Sequence, residues 1–398
     1  MNVKHRSLSL IVPFIFVLMA CGQTPSAVSP TAVLEATVAL VGAEATAAPA
    51  SGEAAAPAAT SGAGGAMEAA SIAPELTSAN APASVRLAYF PNLTHAVGIV
   101  GVARGTFGAA LGSSVKLETV TFNAGPALIE ALFAGEVDIG YIGPNPAING
   151  YVKSKGDALR IIAGASSGGA SFVVRPEANI TSAKDLDGKK IASPQLGGTQ
   201  DIALRHYITK NGLNTVDKGG TVEIVPTQNP DILTLFQQGQ IDGAWVPEPW
   251  ATRLVQEGNG TILIDERTLW PDGQFVTTNV IVRRKFLELY PDVVTRFLEA
   301  HVDTVAYIQG NVDGTKSLVN SEIERITGKA LPREVLDSAY PQLDITYDPL
   351  AKTLFKSADD AFALGFLGDS KPDLSGLYAL DPLNAVLKAR SLAPVAAS

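Results

Sequence analysis

Gly135-Glu136-Val137-Asp138-Ile139-Gly140-Tyr141-Ile142 is echoed about a hundred residues later by Gly239-Gln240-Ile241-Asp242-Gly243-Ala244-Trp245-Val246. In each copy a glycine turn feeds an aspartate and then an apolar run of strand length. Leu128 and Leu132 precede the first copy at helical spacing, and Ile232 and Phe236 precede the second. Each run ends in a proline-containing loop, Gly143-Pro144-Asn145-Pro146 in one case and Pro247-Glu248-Pro249-Trp250 in the other. One helix–turn–strand–loop unit therefore occurs twice. In open α/β sheets ligands sit beyond the carboxyl ends of the strands. Two lobes built on this unit would present both loops across one cleft.

Outward from the repeat, strand and helix signals alternate. Val85 to Phe90 reads as a strand broken by Pro91, Leu93 to Phe107 as a helix softened by Gly98, Gly101 and Gly105, and Val115 to Phe122 as a strand. Asn123 and Pro126 open a helix through Phe133, a cap followed by an early proline. Val137 to Ile142 and Arg160 to Ala163 read as buried strands. Strands separated by helices imply βαβ units and a mainly parallel sheet.

The N-terminus has a separate logic. Lys4, His5 and Arg6 form a basic head, and Leu8 to Ala20 is apolar except for Ser9. That run has the length of a signal-peptide core and is short for a membrane span. It ends in Leu18-Met19-Ala20-Cys21-Gly22, which resembles the bacterial lipobox, and Cys21 is the single cysteine of the chain. The expectation is cleavage before Cys21, lipidation of its thiol, and an extracytoplasmic protein held at the membrane. One cysteine allows no internal disulfide and no thiolate metal site. Residues 22 to 84 are rich in Ala, Pro, Ser, Thr and Gly, without aromatics, Lys or Arg. Such a stretch buries too little to offset its chain entropy and is expected to be a disordered tether; about 60 residues of coil span roughly 45 Å.

The remainder is long enough for two lobes with a substantial core. The chain carries a formal charge of −9, and losing Lys4 and Arg6 with the signal leaves −11. With no basic cluster, nucleic acid is not expected as a partner. Enzymatic chemistry finds little support. The four histidines, His5, His95, His206 and His301, include no pair close enough to suggest a metal site, and no nucleophile elbow, Walker loop or dinucleotide glycine pattern occurs. Asp138 and Asp242 lie at the starts of their strands, where a structural turn role fits better than catalysis. No cofactor is expected.

The segments Leu87-Ala88-Tyr89-Phe90-Pro91-Asn92-Leu93-Thr94-His95, Thr121-Phe122-Asn123-Ala124-Gly125-Pro126, Asp138 to Gly143, Ser193 to Gln200, Trp245 to Trp250 and Phe275-Val276-Thr277-Thr278-Asn279 occur in that order. Together they resemble the substrate-binding proteins of ABC importers for nitrate, taurine and aliphatic sulfonates, and the likeness continues through Leu364 to Leu367 and Asp373 to Leu377. The resemblance implies a type II periplasmic binding protein: two α/β lobes with mainly parallel sheets flanked by helices, joined by two hinge strands. One crossing is expected near Ala170 to Val174 and the return near Thr277 to Val282. Residues 1–20 are then the signal, 21–84 the tether, 85–175 with 276–398 lobe 1, and 176–275 lobe 2. The implied partners are a small solute and a permease with its ATPase, and a monomer is expected. The family also holds relatives of a pyrimidine-synthesis enzyme that consumes its own histidine, but the cysteine- and histidine-rich segments of that chemistry are missing.

Candidate contacts follow from local chemistry. Ser193 to Thr199 is a polar, glycine-containing loop before a helix; its start offers free N–H groups and positive dipole to an oxyanion. Gln195, Gly198, Thr199 and Gln200 are therefore candidates, although Thr199 alone would read as an N-cap. Ser167, Gly168 and Gly169 expose backbone donors beside the first crossing. Phe90, Asn92 and His95 end the first strand, Asn145 lies in the first proline loop, Glu248 and Trp250 in the second, and Thr278 on the return. Arg205 and Arg253, the nearest arginines, lie inside helices. An aliphatic sulfonate or taurine-like solute is the first expectation. A neutral heterocycle such as a thiamine-precursor pyrimidine or riboflavin, sandwiched by Phe90, Tyr141 and Trp250, is the alternative; nitrate or bicarbonate comes third. A lipid-anchored sensor domain without a transporter is the reading from another class.

Overall fold

A computed structural model describes residues 71–77 and 79–397. Cys21, the apolar run before it and the tether up to residue 70 lie outside the described residues.

Among the described residues eleven strands form two mixed sheets. The first contains β1 (Ser84–Tyr89), β2 (Lys116–Thr121), β3 (Ile139–Ile142), β4 (Leu159–Gly168), β10 (Val276–Arg283) and β11 (Leu343–Ile345), in the order β11-β4-β10-β3-β1-β2. The second contains β5 (Ala170–Val174), β6 (Lys190–Pro194), β7 (Glu223–Thr227), β8 (Gly243–Pro247) and β9 (Thr261–Asp265), in the order β7-β6-β8-β5-β9. In the first sheet β1 to β4 point one way and β10 and β11 the other; in the second only β5 runs against its neighbours. The strands are thus mainly parallel in direction. Each antiparallel insertion beside a copy of the repeat is a strand that has just arrived from the other sheet.

The repeat occupies matching places. β3 lies between β1 and β10, and β8 between β6 and β5. The Asp138 carboxylate accepts from the backbone N–H of Arg86 at 3.0 Å as β1 begins, and that of Asp242 accepts from Lys190 at 2.8 Å as β6 begins. The carbonyls of the two aspartates accept from Arg283 and Arg175, at the ends of β10 and β5. Each aspartate therefore pins the register of three strands at the end of the sheet opposite the proline loops. Asp138 carries more: Arg86 and Arg283 both pair with it, at 2.8 and 2.6 Å, and its side chain is almost fully buried.

Side-chain alternation divides the core into layers. Ile139 and Tyr141 of β3 face a cluster with the helices Ala96–Ala103 and Pro291–Gly310, whereas Ile142 faces one with Leu128, Ile148 and Leu354. In β8, Trp245 packs beside Phe172 and Leu204 on one side, and Ala244 and Val246 beside Ile232 and Phe236 on the other. Trp245 is fully buried, as a strand core residue should be.

Two local expectations change. The helix read over Leu93 to Phe107 is a 3-10 turn, Leu93–His95, then helices Ala96–Ala103 and Thr106–Leu111, broken where Gly105 takes a positive φ of 69°. The end of the segment expected as tether lies against the first sheet's helices. Ile72 N–H and Ser71 Oγ donate to the Glu299 carboxylate at 2.6 and 2.7 Å, Arg296 reaches the Pro74 carbonyl, and Leu76 is buried in the core. A composition rule over 22–84 averages this short anchoring piece away.

Replacing Asp138 by Ala strands two guanidinium groups beside a buried site and is expected to cost about 3 kcal/mol or more. Asp242→Ala, which removes a single backbone hydrogen bond, should cost about 1 kcal/mol. Urea denaturation distinguishes them; equal losses would contradict the account.

Candidate functional site

The carboxyl ends of the parallel strands of both sheets converge on a cavity of about 40 Å³. The first sheet contributes Phe90, Asn92, Thr94 and His95 after β1, Asn123 to Gly125 after β2, Gly143 and Pro146 after β3, and Thr277 of β10. The second contributes Pro194, Gly198, Thr199 and Gln200 at β6, Asn229 after β7 and Pro247 at the end of β8.

Four helices start at this cavity: Gly125–Phe133, Pro144–Lys153, Thr199–Lys210 and Asn229–Gln237. None of the four has a side-chain cap. First-turn N–H groups have no intrahelical acceptor and carry the positive end of the helix dipole. Prolines at 126, 144, 146 and 230 lack an N–H. Donors are therefore concentrated on Thr199 and Gln200, with Gly125 and Asn229 beside them. Asn229 is 3% exposed, and its side-chain oxygen has no protein partner.

None of the lining side chains carries a formal charge. His95 is buried, and burial pushes its pKa down to about 3, so it is neutral. Its ring stacks on Phe90 with centroids 4.3 Å apart, and Nδ1 accepts from the Phe90 N–H at 3.3 Å. Nδ1 is therefore the unprotonated nitrogen. Neither nearby arginine is free. Arg205 pairs with Asp201 at 3.0 Å and Asp217 at 3.1 Å; Asp201 in turn accepts from Ser193 Oγ and the Gly197 N–H, bracing the loop before Thr199. Arg253 pairs with Glu257 and lies over the Trp250 ring.

Of the candidate contacts, Phe90, Asn92, His95, Gly198, Thr199 and Gln200 line the cavity. The other candidates do different work. Trp250 Nε1 donates to Asn92 Oδ1 at 3.0 Å, tying the second sheet's proline loop to the end of β1. Glu248 is buried and accepts from Thr252 N and Oγ1, and its backbone joins Gly169 and Leu93. Asn145 is turned away, bonded to Ser357. Ser167 Oγ accepts from the Phe275 N–H, and Thr278 is fully buried while its neighbour Thr277 faces the cavity. Gln195 has positive φ, and its amide N–H donates to Thr227.

Gly168 and Gly169 do not offer free donors. Their N–H groups bond the carbonyls of Phe275 and Gln342, at 3.1 and 2.8 Å. The chain turns there from one sheet into the other; the return segment takes up the first donor and the residue before β11 the second. Asn123, Gly125, Gly143 and Asn229 also line the cavity and were not among the candidates. Asn123-Ala124-Gly125-Pro126 and Asn229-Pro230, each following a parallel strand and opening a helix, carried the signal.

The two sides meet closely. A Cβ on Gly143 would lie 2.2 Å from Thr199 Oγ1, and Asn123 Nδ2 donates to Gln228 Oε1 across the gap at 2.6 Å. The arrangement can surround a small oxyanion with backbone donors from both sheets. Among the described residues no helix is long and apolar enough to cross a membrane, and no cluster of His, Cys, Asp or Glu could hold a metal ion.

This architecture is that of the periplasmic binding proteins. The chain belongs to the NMT1-like family, whose model matches residues 78–321. It is 32% identical over 207 residues to the taurine-binding periplasmic protein of Escherichia coli K12, covering 51% of this chain and 60% of that one. The matched region thus spans less than two thirds of that relative. The alkanesulfonate-binding protein SsuA of Xanthomonas axonopodis pv. citri, solved bound to MOPS, superposes with a TM-score of 0.62 at 19% identity, over 75% of this chain and 98% of that one. The nitrate-binding protein NrtA of Synechocystis PCC 6803 gives 0.63 at 13% identity, over 77% and 89%.

Burial pushes the Glu248 carboxyl up to about 7, against the opposing hydrogen bonds from Thr252. A carboxyl raised in the folded state holds a proton that the unfolded chain has released, so stability falls as pH rises from about 4.5 to about 7. Glu248→Gln should remove part of this fall, gaining roughly 1–3 kcal/mol at pH 8 relative to pH 5. Melting curves at the two pH values test it; a parallel loss in both proteins would contradict it.

Proposed function

We propose that this protein is the solute-binding component of an ABC importer. It captures an aliphatic sulfonate or taurine-like compound between its two sheets and delivers it to a permease, held outside the cytoplasm by a lipid on Cys21. The observation that carries the reading is the convergence of uncapped helix starts from both sheets on an uncharged cavity. Such a site stabilises an oxyanion through fixed N–H dipoles without a counter-ion. The unpaired side-chain oxygen of Asn229 adds a neutral partner for the rest of the solute.

Binding and closure are one event in this reading. The donors at Gly125 and at Thr199 belong to different sheets, so a solute gains both sets only when the sheets approach. The cavity is head-group sized, and a longer solute is accommodated by a smaller closing movement. The named specificities of the taurine-, alkanesulfonate- and nitrate-binding relatives support an oxyanion, and the small volume favours nitrate as the second reading. No catalytic step is assigned to the site.

A thermal-shift panel of taurine, alkanesulfonates, nitrate, pyrimidines and riboflavin tests the ligand class. Stabilisation by a sulfonate is expected, about 2.7 kcal/mol at a hundred times Kd; a shift with riboflavin alone would overturn the reading. Gly143→Ala, whose methyl group meets Thr199, should weaken sulfonate binding at least about tenfold in a protein that still unfolds cooperatively. Cys21→Ala should release the protein from the membrane fraction. Retention there would contradict the lipid anchor.

A further inference from the structure

The helix Thr199–Lys210 has a second cavity along its side, of about 450 Å³. Thr199 lines both spaces, so the helix start separates them. The far wall is the helix Ala351–Ala363, and the chain returning from β9 to β10 closes the end. The size is that of a pocket for a small organic molecule.

Its chemistry differs from that of the cleft. Tyr207, Trp245, Trp270 and Phe275 line it, with Trp270 and Phe275 stacked at 5.5 Å. Among these rings lies the carboxyl of Glu266, a residue 3% exposed. Its oxygens accept from Trp245 Nε1 at 2.7 Å and from Trp270 Nε1 at 3.4 Å. No salt bridge holds it: the nearby Arg267 pairs with Asp265 instead. Burial pushes Glu266 up to about 7. A buried carboxylate is costly unless a cation pairs with it. The lysines that line the cavity, Lys210, Lys352 and Lys356, are exposed, and Lys356 is paired with Asp360 at 2.5 Å. They mark the solvent side, whereas the acid lies inside among the rings.

We propose that this second cavity binds a small organic cation, a monoamine with an aromatic or aliphatic body, whose ammonium pairs with Glu266. Aromatic rings attract an ammonium through their quadrupoles, and the effect grows as water is excluded. The apolar wall takes the body of the ligand, and the carboxylate supplies the charge. The site shares Thr199 with the oxyanion cleft and takes its other lining residues from elsewhere.

Isothermal titration of the full chain at about pH 8 with benzylammonium, benzyl alcohol and benzoate tests the assignment. Benzylammonium should bind at least about tenfold more tightly than either isostere. Glu266→Gln should lower its affinity by at least about tenfold and leave benzyl alcohol and the cleft's sulfonate response unchanged. Trp270→Leu should weaken benzylammonium as well. Equal binding of the three probes to the unaltered protein, or of none at about 10 mM, would overturn the proposal without recourse to any variant. Unchanged benzylammonium affinity in a folded Glu266→Gln protein would do the same.

Discussion

The chain leaves its first sheet for its second at Gly168 and Gly169, and the rest of the structure depends on that crossing. Both residues have positive φ, 73° and 70°, which costs a glycine nothing and other residues about 1–2 kcal/mol. A Cβ would lie 2.9 Å from the Gln342 carbonyl at the first position and 3.0 Å from Leu343 at the second. The turn therefore has neither conformational nor steric room for a side chain. Its backbone is fastened to the return segment at Phe275 and to Gln342, and Thr277 Oγ1 donates to the Gly168 carbonyl. A short double connection of this kind sets the carboxyl ends of two sheets facing each other.

Once the sheets face each other, the helix starts do so as well. A parallel strand followed by a helix places that helix's N-terminus at the strand's carboxyl end, and the plan is repeated in both sheets. The cavity collects positive dipole ends from both sides while lacking a charged side chain. The arginines that might have supplied charge act elsewhere: Arg205 holds Asp201, which shapes the loop leading to Thr199. Charge recognition by backbone dipoles is insensitive to pH and requires no desolvated ion on the protein. The chamber around Glu266 is its opposite in kind, an acid among rings.

Much of this plan was legible in the sequence, because the repeat encodes it directly. Glycine, aspartate and an apolar run at Gly135 to Ile142 and at Gly239 to Val246 gave two strands with the same neighbours and the same aspartate pin. The mixed strand directions were not visible in the pattern, since β5 and β10 alternate like any buried strand. Cavity-lining residues were legible where a helix start was marked by polar and glycine residues, as at Gly198 to Gln200. They were misread at Gly168 and Gly169, where glycines that look like donors are required by the backbone turn. Glu248 and Trp250 were drawn toward the cleft by their position after β8, yet one caps its own helix and the other reaches only Asn92. Whether a polar side chain turns inward or toward a neighbouring helix is decided by three-dimensional partners such as Ser357 for Asn145, which no local spacing reveals.

The central claim is that backbone amides at facing helix starts hold the oxyanion. Amide chemical shifts of the full chain, followed as an alkanesulfonate is added, test it most directly. The N–H resonances of Gly125, Thr199, Gln200 and Asn229 should shift saturably with a single affinity. Saturable binding that leaves those four amides unmoved would contradict it.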